Sequence, residues 1–599
     1  MKDNFQKNHL FTFVFIISLG LSFLIFGNGI TGDFVFDDVT VVQNRGDLTN
    51  PSNFFNLFIS PYHQNNPKTG LYRPLTMASY AINHYIDSKP IGFHGVNIII
   101  HALNSFLVFW LINFLFKNKF LTYSTFLLFL THPIHTEAVT SIVGRAELLT
   151  FFFGIASIYF FVNKNKTLSA MAFLLALLSK ESALMVLPII LYISVIFLNK
   201  KVTDSVKNLL FFSLPLGLYS LLRYKALSSY FFRDATTTIV ENPLEFASFS
   251  ERITTAFKVL YMYIEKLTWP VQLSADYSFN AIKIISNPLV SAKSIIGILI
   301  FALLVILIVF YKKISKEISF GAGLFLFLYL MISNLIKPVG TIMGERLMYF
   351  PSLGFIVVIA FILTKISDYK KWGTKTAYGL LVGILVFYGI RTVIRNKDWH
   401  NNRTLFYAAV KEFPDSLITR TALAGVHIRA DEWAKAKEQL EIAQNIYEDN
   451  SHLQNLLGIV ANHEGNYSLA EEKYKKSLEL NPDAINSYIN LGELYLKQGR
   501  LEEAGNNFIK VIDFYATTEY IMRYSYIQIA LNKPAKALDV INKYFGSNLN
   551  NPDLSTLAGT AYFVKKDYKQ ALIYLKKARE LGNKAPEIEE MINVAQKNE

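Results

Sequence analysis

Charged and imidazole side chains interrupt the long apolar segments of this chain, where polar groups are costly and often functional. They are Asp37 and Asp38; His132, His135, Glu137, Arg145 and Glu147; Lys180 and Glu181; Asp276; and Glu345 and Arg346. A carboxylate can remove a proton from a hydroxyl group. Arginine suits phosphate, because its planar guanidinium can donate to two oxygens. These residue types predict a site that combines acid–base chemistry with anion binding.

Asp37 and Asp38 are adjacent carboxylates directly after an apolar segment. Like charges side by side can raise the pKa of one of them, which suits a general base. A solvated helix start is the alternative interpretation of such a pair. A functional role for the pair is therefore indicated only in combination with the other polar residues.

The segment THPIHTE contains His132, His135 and Glu137, which could converge on a zinc ion. The H-x-x-H-x-E spacing is not a strong zinc signature, and the chain has no cysteine. We predict no metal site from this segment.

The basic residues also have structural alternatives. Arg145 could pair with Glu147, and Arg346 with Glu345, as ion pairs without a ligand. Lys180 could simply belong to a polar cap between two short helices. Phosphate binding and structural pairing both stay open at this point.

The elements that must position these residues are mostly apolar helices. The 599 residues are 52% hydrophobic and only 18% charged, below the usual quarter. The apolar excess lies before residue 395, and a polar, helix-forming sequence follows it. We predict a membrane domain over residues 1–395, a linker over 396–416 and a second domain over 417–599.

About eleven apolar segments are candidates for membrane-spanning helices, although some are shorter than the usual 20 residues. They are residues 10–30, 95–116, 119–134, 147–163, 167–180, 182–199, 208–224, 294–311, 318–336, 350–366 and 376–394. The first could also be a signal peptide, but no small-x-small cleavage site follows it. We predict an uncleaved first helix.

Lysine positions predict the orientation, because basic residues collect in cytoplasmic loops. With the N-terminus inside, every loop predicted to be cytoplasmic carries at least two lysines. This assignment of loops to the two sides requires that residues 253–269, which contain three charges, do not span the membrane and form an interfacial helix. The polar residues that interrupt the apolar segments then all face the outer side, together with the C-terminal domain. The net charge of +13 reflects these loop lysines and does not indicate nucleic-acid binding.

The C-terminal domain contains a repeat of about 34 residues. Alanines occur at Ala436, Ala470, Ala504, Ala537 and Ala571, with spacings of 34, 34, 33 and 34. Leu457-Gly458 and Leu491-Gly492 precede two of them by the same interval. This period is typical of tetratricopeptide repeats, which stack into an α-solenoid. We predict about five repeats and a peptide-binding role, with a passive spacer as the alternative.

Several motifs resemble those of a known enzyme family. They are FDDVTVVQN, YRPLTMASYAINHYI, GFHGVNIIIHALNS, THPIHTEAVTSIVGRAELL, LLSKES, VGTIMGERLMYFPSLGF and RNKDWHNNRTLF, followed by the repeats. In this order they resemble the transmembrane and tetratricopeptide-repeat-containing O-mannosyltransferases, which have the C-type glycosyltransferase fold. The fold class expected is all-α, a polytopic helix bundle followed by a tetratricopeptide-repeat solenoid. The composition resembles that of a bacterial relative.

The resemblance implies transfer of a sugar, mannose, from a polyprenyl-phosphate donor to Ser or Thr hydroxyls of exported proteins, with inversion. It implies that Asp37 is the base. Asp38 would support it, by hydrogen bonding the acceptor or by tuning the pKa. Chemistry then suggests Arg346, Arg145 and Lys180 for the donor phosphate. The sugar and acceptor pocket would be formed by His132, His135, Glu137, Glu345 and Asp276.

The expected location is a bacterial inner membrane, with the N-terminus cytoplasmic and the repeats periplasmic. Expected partners are the lipid-linked donor, a protein or peptide acceptor and the membrane, without nucleic acid. The resemblance implies no certain cofactor, but some members of the fold use a divalent ion, so a metal requirement stays open. Two alternatives also stay open: the same fold glycosylating a surface glycolipid or cell-wall polymer, and a non-catalytic membrane-anchored scaffold.

Overall fold

The fold is all-α over the residues that the structure, a computed structural model, describes: 2–63, 67–231, 237–287, 291–546 and 549–599. No β-strand occurs within these ranges, which confirms the predicted fold class. The chain divides into two compact units, Met1–Leu423 and Ala424–Glu599.

The first unit contains helices of very different length. They are α1 (Lys2–Phe26), α2 (Gly46–Thr49), α3 (Pro74–Ile86), α4 (Pro90–Phe116), α5 (Lys119–Thr131), α6 (Thr136–Thr140), α7 (Arg145–Val162), α8 (Lys166–Ser179), α9 (Val186–Ile196), α10 (Val202–Leu209), α11 (Ser213–Leu227), α12 (Phe249–Thr268), α13 (Ala292–Val309), α14 (Lys316–Leu330), α15 (Ser352–Asp368), α16 (Lys370–Asp398) and α17 (Asn402–Glu412). Short 3-10 turns connect several of them, including Glu345–Met348.

Six helical stretches among the described residues are long and apolar enough to cross a membrane. They are Leu10–Gly29, Pro90–Phe116, Ile142–Val162, Val202–Tyr230, Ala292–Val309 and Trp372–Asp398. The other predicted spans also coincide with helices, α5, α8, α9, α14 and α15, which have 11 to 17 residues. The chain is a multi-pass membrane protein, whereas the count of eleven spans and the orientation stay predictions. The charged helix α12 is not among the six, in keeping with its amphipathic sequence.

Glycines allow close packing of the helices in this unit. A Cβ atom on Gly354 of α15 would lie 2.4 Å from the carbonyl oxygen of Gly321 of α14. Small residues let membrane helices approach in this way. Because α14 and α15 pack closely, the loop between them, which contains Glu345 and Arg346, is held at one end of both helices.

Residues 396–416, expected to be a linker, lie within the first unit. They include the end of α16 and all of α17. The buried Asn396 amide donates to the Ile25 carbonyl and to Asn28 Oδ1, each at 2.8 Å. This segment therefore holds the C-terminal end of α1.

The second unit is built from helix–turn–helix repeats. Its helices are α18 (Leu417–Arg429), which crosses the boundary between the units, α19 (Trp433–Ile446), α20 (Ser451–His463), α21 (Tyr467–Leu480), α22 (Ile485–Lys497), α23 (Leu501–Phe514), α24 (Thr518–Ala530), α25 (Pro534–Phe545), α26 (Pro552–Val564), α27 (Tyr568–Glu580) and α28 (Pro586–Asn598). The five periodic alanines are completely buried. A Cβ on Gly458 would lie 2.5 Å from the Tyr474 ring, and one on Gly559 would lie 2.7 Å from Leu575. The small residues allow the two helices of a repeat to touch, which confirms the predicted solenoid.

Candidate active site

Arg346 joins two carboxylates that are far apart in the sequence. Its Nη1 and Nη2 atoms lie 3.1 and 3.2 Å from Asp37 Oδ2. Its Nε lies 3.4 Å from Glu137 Oε1, and its backbone N–H donates to Glu137 Oε2 at 2.9 Å. The side chains of Asp37 and Arg346 are 38% and 32% exposed, whereas that of Glu137 is only 5% exposed. The cluster thus presents an accessible carboxylate beside an accessible cation.

The backbone before Asp37 has an unusual conformation. Phe36 has φ of +51°, a left-handed value that is strained for an aromatic residue. Its N–H donates to Asn402 Oδ1 at 2.8 Å, and its ring packs edge-on against Phe406 at 5.7 Å. The start of α17 therefore holds the backbone that directs the Asp37 side chain.

Asp38 points away from this accessible surface and is completely buried. Its carboxylate accepts hydrogen bonds from the backbone of Val143 at 2.8 Å and of Ile142 at 3.3 Å. It also accepts from the backbone of Val35 and from the Ser141 hydroxyl, both at 3.3 Å. The expectation that Asp38 hydrogen bonds an acceptor is therefore corrected, because its oxygens fix the turn before α7.

Arg145 is also enclosed, contrary to its expected phosphate role. Its guanidinium donates to Asn97 Oδ1 at 2.8 Å, to the Phe93 carbonyl at 3.0 Å and to the Ser79 carbonyl at 3.1 Å. The Tyr80 ring lies 4.8 Å from its Cζ. A side chain that is 0% exposed and surrounded by its own chain cannot reach a lipid phosphate. Glu147 is not its partner either.

Glu147 pairs instead with Lys180, the third expected phosphate ligand, and both side chains are below 10% exposed.

Arg73 forms a further ion pair in this region. It donates to Glu181 in a bidentate arrangement, at 3.0 Å from Nε and 2.6 Å from Nη2. Sequence reasoning did not single out Arg73. An arginine directly before a proline, in the otherwise apolar segment LYRPL, was the available signal.

Tyr62 connects the two groups of ion pairs. Its ring centroid lies 4.9 Å from Arg73 Cζ. Burial raises the pKa of its hydroxyl, and the charge of Arg73 opposes that rise. The charges of Asp37 and Arg346 also act on this hydroxyl. Tyr62 is therefore influenced by the charges of both groups of ion pairs.

Glu345 is buried and faces the other way from Arg346. It accepts hydrogen bonds from the Tyr277 hydroxyl and from the Ser274 backbone, the latter at 2.6 Å. Its Oε2 lies 3.7 Å from Arg395 Nη2. These contacts anchor the loop before α15, so that the next residue, Arg346, can extend toward Asp37. Glu345 positions this loop and does not line an accessible pocket.

Asp276 is partly buried near the same loop. Its Oδ2 accepts from Ser278 Oγ at 2.6 Å and from Ser416 Oγ at 3.0 Å. Burial raises its pKa, and the charge of Asp37 contributes to the rise. Its contacts hold the Ser416 hydroxyl and do not include Asp37 or Arg346.

The two histidines do not converge with Glu137 on a common point. His132 Nε2 lies 3.0 Å from the Leu267 carbonyl, and its Nδ1 accepts from the Ile134 backbone. His135 Nε2 lies 2.8 Å from Ser352 Oγ, and both rings are buried. Among the described residues, no group of three or more His, Asp or Glu side chains could hold a metal ion. The residues present here do not fit a metal site.

The charge on Glu137 is sensitive to its surroundings. Burial raises the pKa of its carboxyl group to about 7, although the Arg346 guanidinium opposes the rise and Glu345 adds to it. Near neutral pH this carboxyl group can therefore take up a proton. Protonation would leave more of the Arg346 charge for a bound anion.

Residues 449–517 match the tetratricopeptide repeat family. Human protein O-mannosyl-transferase TMTC3 is 25% identical over 614 aligned positions, which cover 92% of this chain and 66% of the relative. The mouse protein of the same name is 26% identical and covers 88% of this chain, with 63% of the relative matched. Mouse protein O-mannosyl-transferase TMTC4 is 28% identical over 66% of this chain and 61% of the relative. The chain thus spans slightly less than two thirds of the length of these curated relatives.

Among solved structures, YrrB, described as a tetratricopeptide-repeat protein with an unusual peptide-binding site, is 18% identical. It covers 32% of this chain and 97% of its own, with a TM-score of 0.28. That likeness is confined to part of the chain. The similarity to the curated relatives, which extends over up to 92% of this chain, confirms the resemblance predicted from the motifs: the chain is similar to the transmembrane and tetratricopeptide-repeat-containing O-mannosyltransferases.

Proposed function

We propose that this protein is a membrane glycosyltransferase that transfers mannose from a polyprenyl-phosphate donor to Ser or Thr hydroxyls of exported proteins. The observation that carries the proposal is the accessible Asp37 carboxylate held by Arg346. The printed names of the relatives, protein O-mannosyl-transferases, support the reaction class. The tetratricopeptide repeats support a protein acceptor over a glycolipid, because such solenoids offer extended binding surfaces.

In the proposed reaction, Asp37 takes the proton of the acceptor hydroxyl. The hydroxyl oxygen then forms a bond to the anomeric carbon while the bond from that carbon to the phosphate oxygen breaks, with inversion. The leaving lipid phosphate keeps the electron pair. Asp37 Oδ2 contacts Arg346, so Oδ1 is the oxygen that would accept the proton.

Arg346 would stabilise the charge that develops on the leaving phosphate. Its side chain is 32% exposed, compared with 14% for Arg73 and none for Arg145. Arg346 is therefore the best placed of these three arginines to meet a lipid phosphate. A protonated Glu137 would favour this contact, because it no longer competes for the guanidinium.

The proposed location is a bacterial inner membrane, with the N-terminus in the cytoplasm and the repeats in the periplasm. Support comes from the lysine distribution, because every loop that this topology puts on the side of the N-terminus carries at least two lysines. The solenoid would capture acceptor proteins on the side where Asp37 lies.

The test is transfer of mannose by the purified full chain from polyprenyl-phosphate mannose to Ser/Thr peptides. Asp37→Asn should lower kcat by at least about 100-fold, the typical contribution of a general base, without changing the unfolding temperature. Asp33→Asn, an exposed aspartate of the same loop, is the matched control and should keep full activity. A fully active Asp37→Asn enzyme would exclude Asp37 as the base. A wild type that uses another lipid-linked sugar, or only a glycan acceptor, would contradict the proposed substrates.

A further inference from the structure

An apolar groove of about 370 Å³ opens between the ends of α14, α15 and α16. Ile318 contributes from α14, Phe361, Ile362 and Ile366 from α15, and Trp372 from α16. Lys365 is the charged residue of the lining. The volume lies within the range of roughly 300–1,000 Å³ found for small-molecule sites.

The groove lies one helix length away from the candidate active site. Helix α15 begins at Ser352, which contacts His135, and ends at Asp368 beside the groove. At about 1.5 Å per residue, its 17 residues span roughly 25 Å. Helix α16 likewise starts at the groove and ends near Arg395, the partner of Glu345. The distance is close to the roughly 30 Å of a bilayer's hydrocarbon core, which agrees with the predicted topology, in which the groove is at the opposite membrane boundary.

Aromatic and basic residues surround the opening of the groove. Tyr369 and Trp372 are 56% and 57% exposed, as expected for side chains at a lipid headgroup boundary. Lys365 lies over the Phe361 ring, with its Nζ 5.3 Å from the centroid. Its apolar stem thus follows the groove while its charge remains at the opening.

The surrounding sequence is strongly basic. Segments 312–317 and 365–375 together contain seven lysines, against Glu317 and Asp368. Basic residues next to a membrane attract anionic headgroups, at about 1 kcal/mol per residue. The apolar lining fits an acyl chain, and the excess positive charge fits a phosphate.

We propose that this groove binds an anionic glycerophospholipid, with an acyl chain along Ile318, Phe361 and Ile362 and the headgroup phosphate at Lys365. An ordinary annular lipid would need only the apolar lining and would show no headgroup preference. The proposal concerns a surface distant from Asp37 and does not depend on the proposed transferase activity.

Native mass spectrometry of the detergent-solubilised full chain tests the proposal, with phosphatidylglycerol and phosphatidylcholine as probes. The wild type should retain phosphatidylglycerol preferentially. Lys365→Gln should weaken its retention about fivefold, the equivalent of about 1 kcal/mol. Ile362→Trp, at a half-exposed position, should fill the groove and reduce the retention further. Lys207→Gln removes an exposed lysine outside the groove and should change nothing.

Equal retention of the two lipids would overturn the proposal in favour of annular lipid. A preference that survives both Lys365→Gln and Ile362→Trp would place the lipid elsewhere and also overturn it. A third probe, undecaprenyl phosphate, distinguishes a lipid-carrier site. If it displaces phosphatidylglycerol at equimolar concentration, the groove binds the carrier and the phospholipid proposal is wrong.

Discussion

The membrane unit and the repeat unit differ in how far apart in the sequence their ion-pair partners lie and in how exposed the charged side chains are. Arg346 and Asp37 are 309 residues apart, and Arg73 and Glu181 are 108 apart. In the repeats, Arg523 pairs with Glu493, and Lys533 with Glu502, over 30 and 31 residues. The repeat pairs are 38% to 58% exposed, whereas Glu137 and Glu345 are buried in the membrane unit.

The contrast shows where the loss of an ion-pair partner costs the most free energy. An exposed ion pair contributes about 0–1 kcal/mol, because water solvates both partners after the pair is broken. A buried carboxylate that loses its cation is not solvated by water, so it must stay uncompensated or take up a proton, and both cost free energy. Breaking an ion pair should therefore cost more in the membrane unit, where a buried carboxylate is left behind, than in the repeats, where both partners are exposed.

Removing one arginine from each unit should give the largest difference. Arg346→Ala leaves the buried Glu137 without its cation and should destabilise the protein by about 3 kcal/mol. Arg523→Ala, the control in the repeats, should cost less than about 1 kcal/mol. Thermal unfolding in detergent measures both. Equal losses for the two variants would mean that burial does not distinguish the pairs.

Close packing at glycine is common to both units, and within the repeat unit it differs from one glycine to another. Gly458→Ala brings a Cβ to within 2.5 Å of the Tyr474 ring and should cost about 1–3 kcal/mol. Gly425→Ala in α18 meets nothing closer than 3.8 Å and should be neutral or stabilising. Circular dichroism during heating measures the two changes. Similar melting temperatures for both variants would contradict the close contact.

The Asn402–Phe36 hydrogen bond tests whether a single long-range contact in the membrane unit acts on chemistry. Asn402→Ala removes the acceptor of the Phe36 N–H and should lower kcat about tenfold with little change in KM, since Asp37 loses its orientation. Asn402→Asp keeps an oxygen acceptor at the start of α17 and should retain most activity. Kinetics of both variants are the measurement, and equal activities would show that the hydrogen bond does not position Asp37.

The smallest expected effect is on the pH dependence of stability. One carboxyl group in each unit should contribute to it with opposite sign. Burial raises the pKa of Asp38 from 3.8 to about 7, so its contribution to stability is present below pH 4 and is lost as the pH rises to about 7. The hydrogen bond from Arg500 lowers the pKa of Glu471 from 4.5 to about 2, so its contribution is present above pH 4.5 and is lost as the pH falls to about 2.

Melting temperatures between pH 3 and 8 should therefore respond differently to two substitutions. Asp38→Asn should flatten the decline between about pH 4 and 7, and Glu471→Gln should flatten the decline below about pH 4.5. Unchanged slopes in Asp38→Asn would show that this carboxyl group does not titrate with folding.

Much of the fold follows from local sequence patterns. Apolar segments of helical length predict the membrane helices, and each predicted span coincides with a helix. The junction between the two domains was less predictable: the segment 396–416 was expected to be a linker, but it lies within the first unit. Asn396 and Asn402 instead make hydrogen bonds to α1 and to the loop before Asp37. These amides are hydrogen-bond partners of backbone groups, which a linker would not supply.

The candidate site was only partly predictable. The residue types Asp37, Glu137 and Arg346 were found from the sequence, and the structure brings them together. Arg145 has the same residue type as Arg346 but is enclosed by carbonyl groups, and Arg73, which pairs with Glu181, was not singled out. Residue type indicates what a side chain can bind, not which groups surround it.

The sequence by itself determined the repeat solenoid, the helical class and the apolar helices, because helix periodicity and repeat contacts extend over no more than about 35 residues. Only the tertiary structure decided that Arg346 meets Asp37 and Glu137, that Asp38 turns inward and that Lys180 binds Glu147. The physical reason is that these partners come from helices whose neighbours are chosen by packing. Which charge faces which depends on that packing, and no local pattern records it.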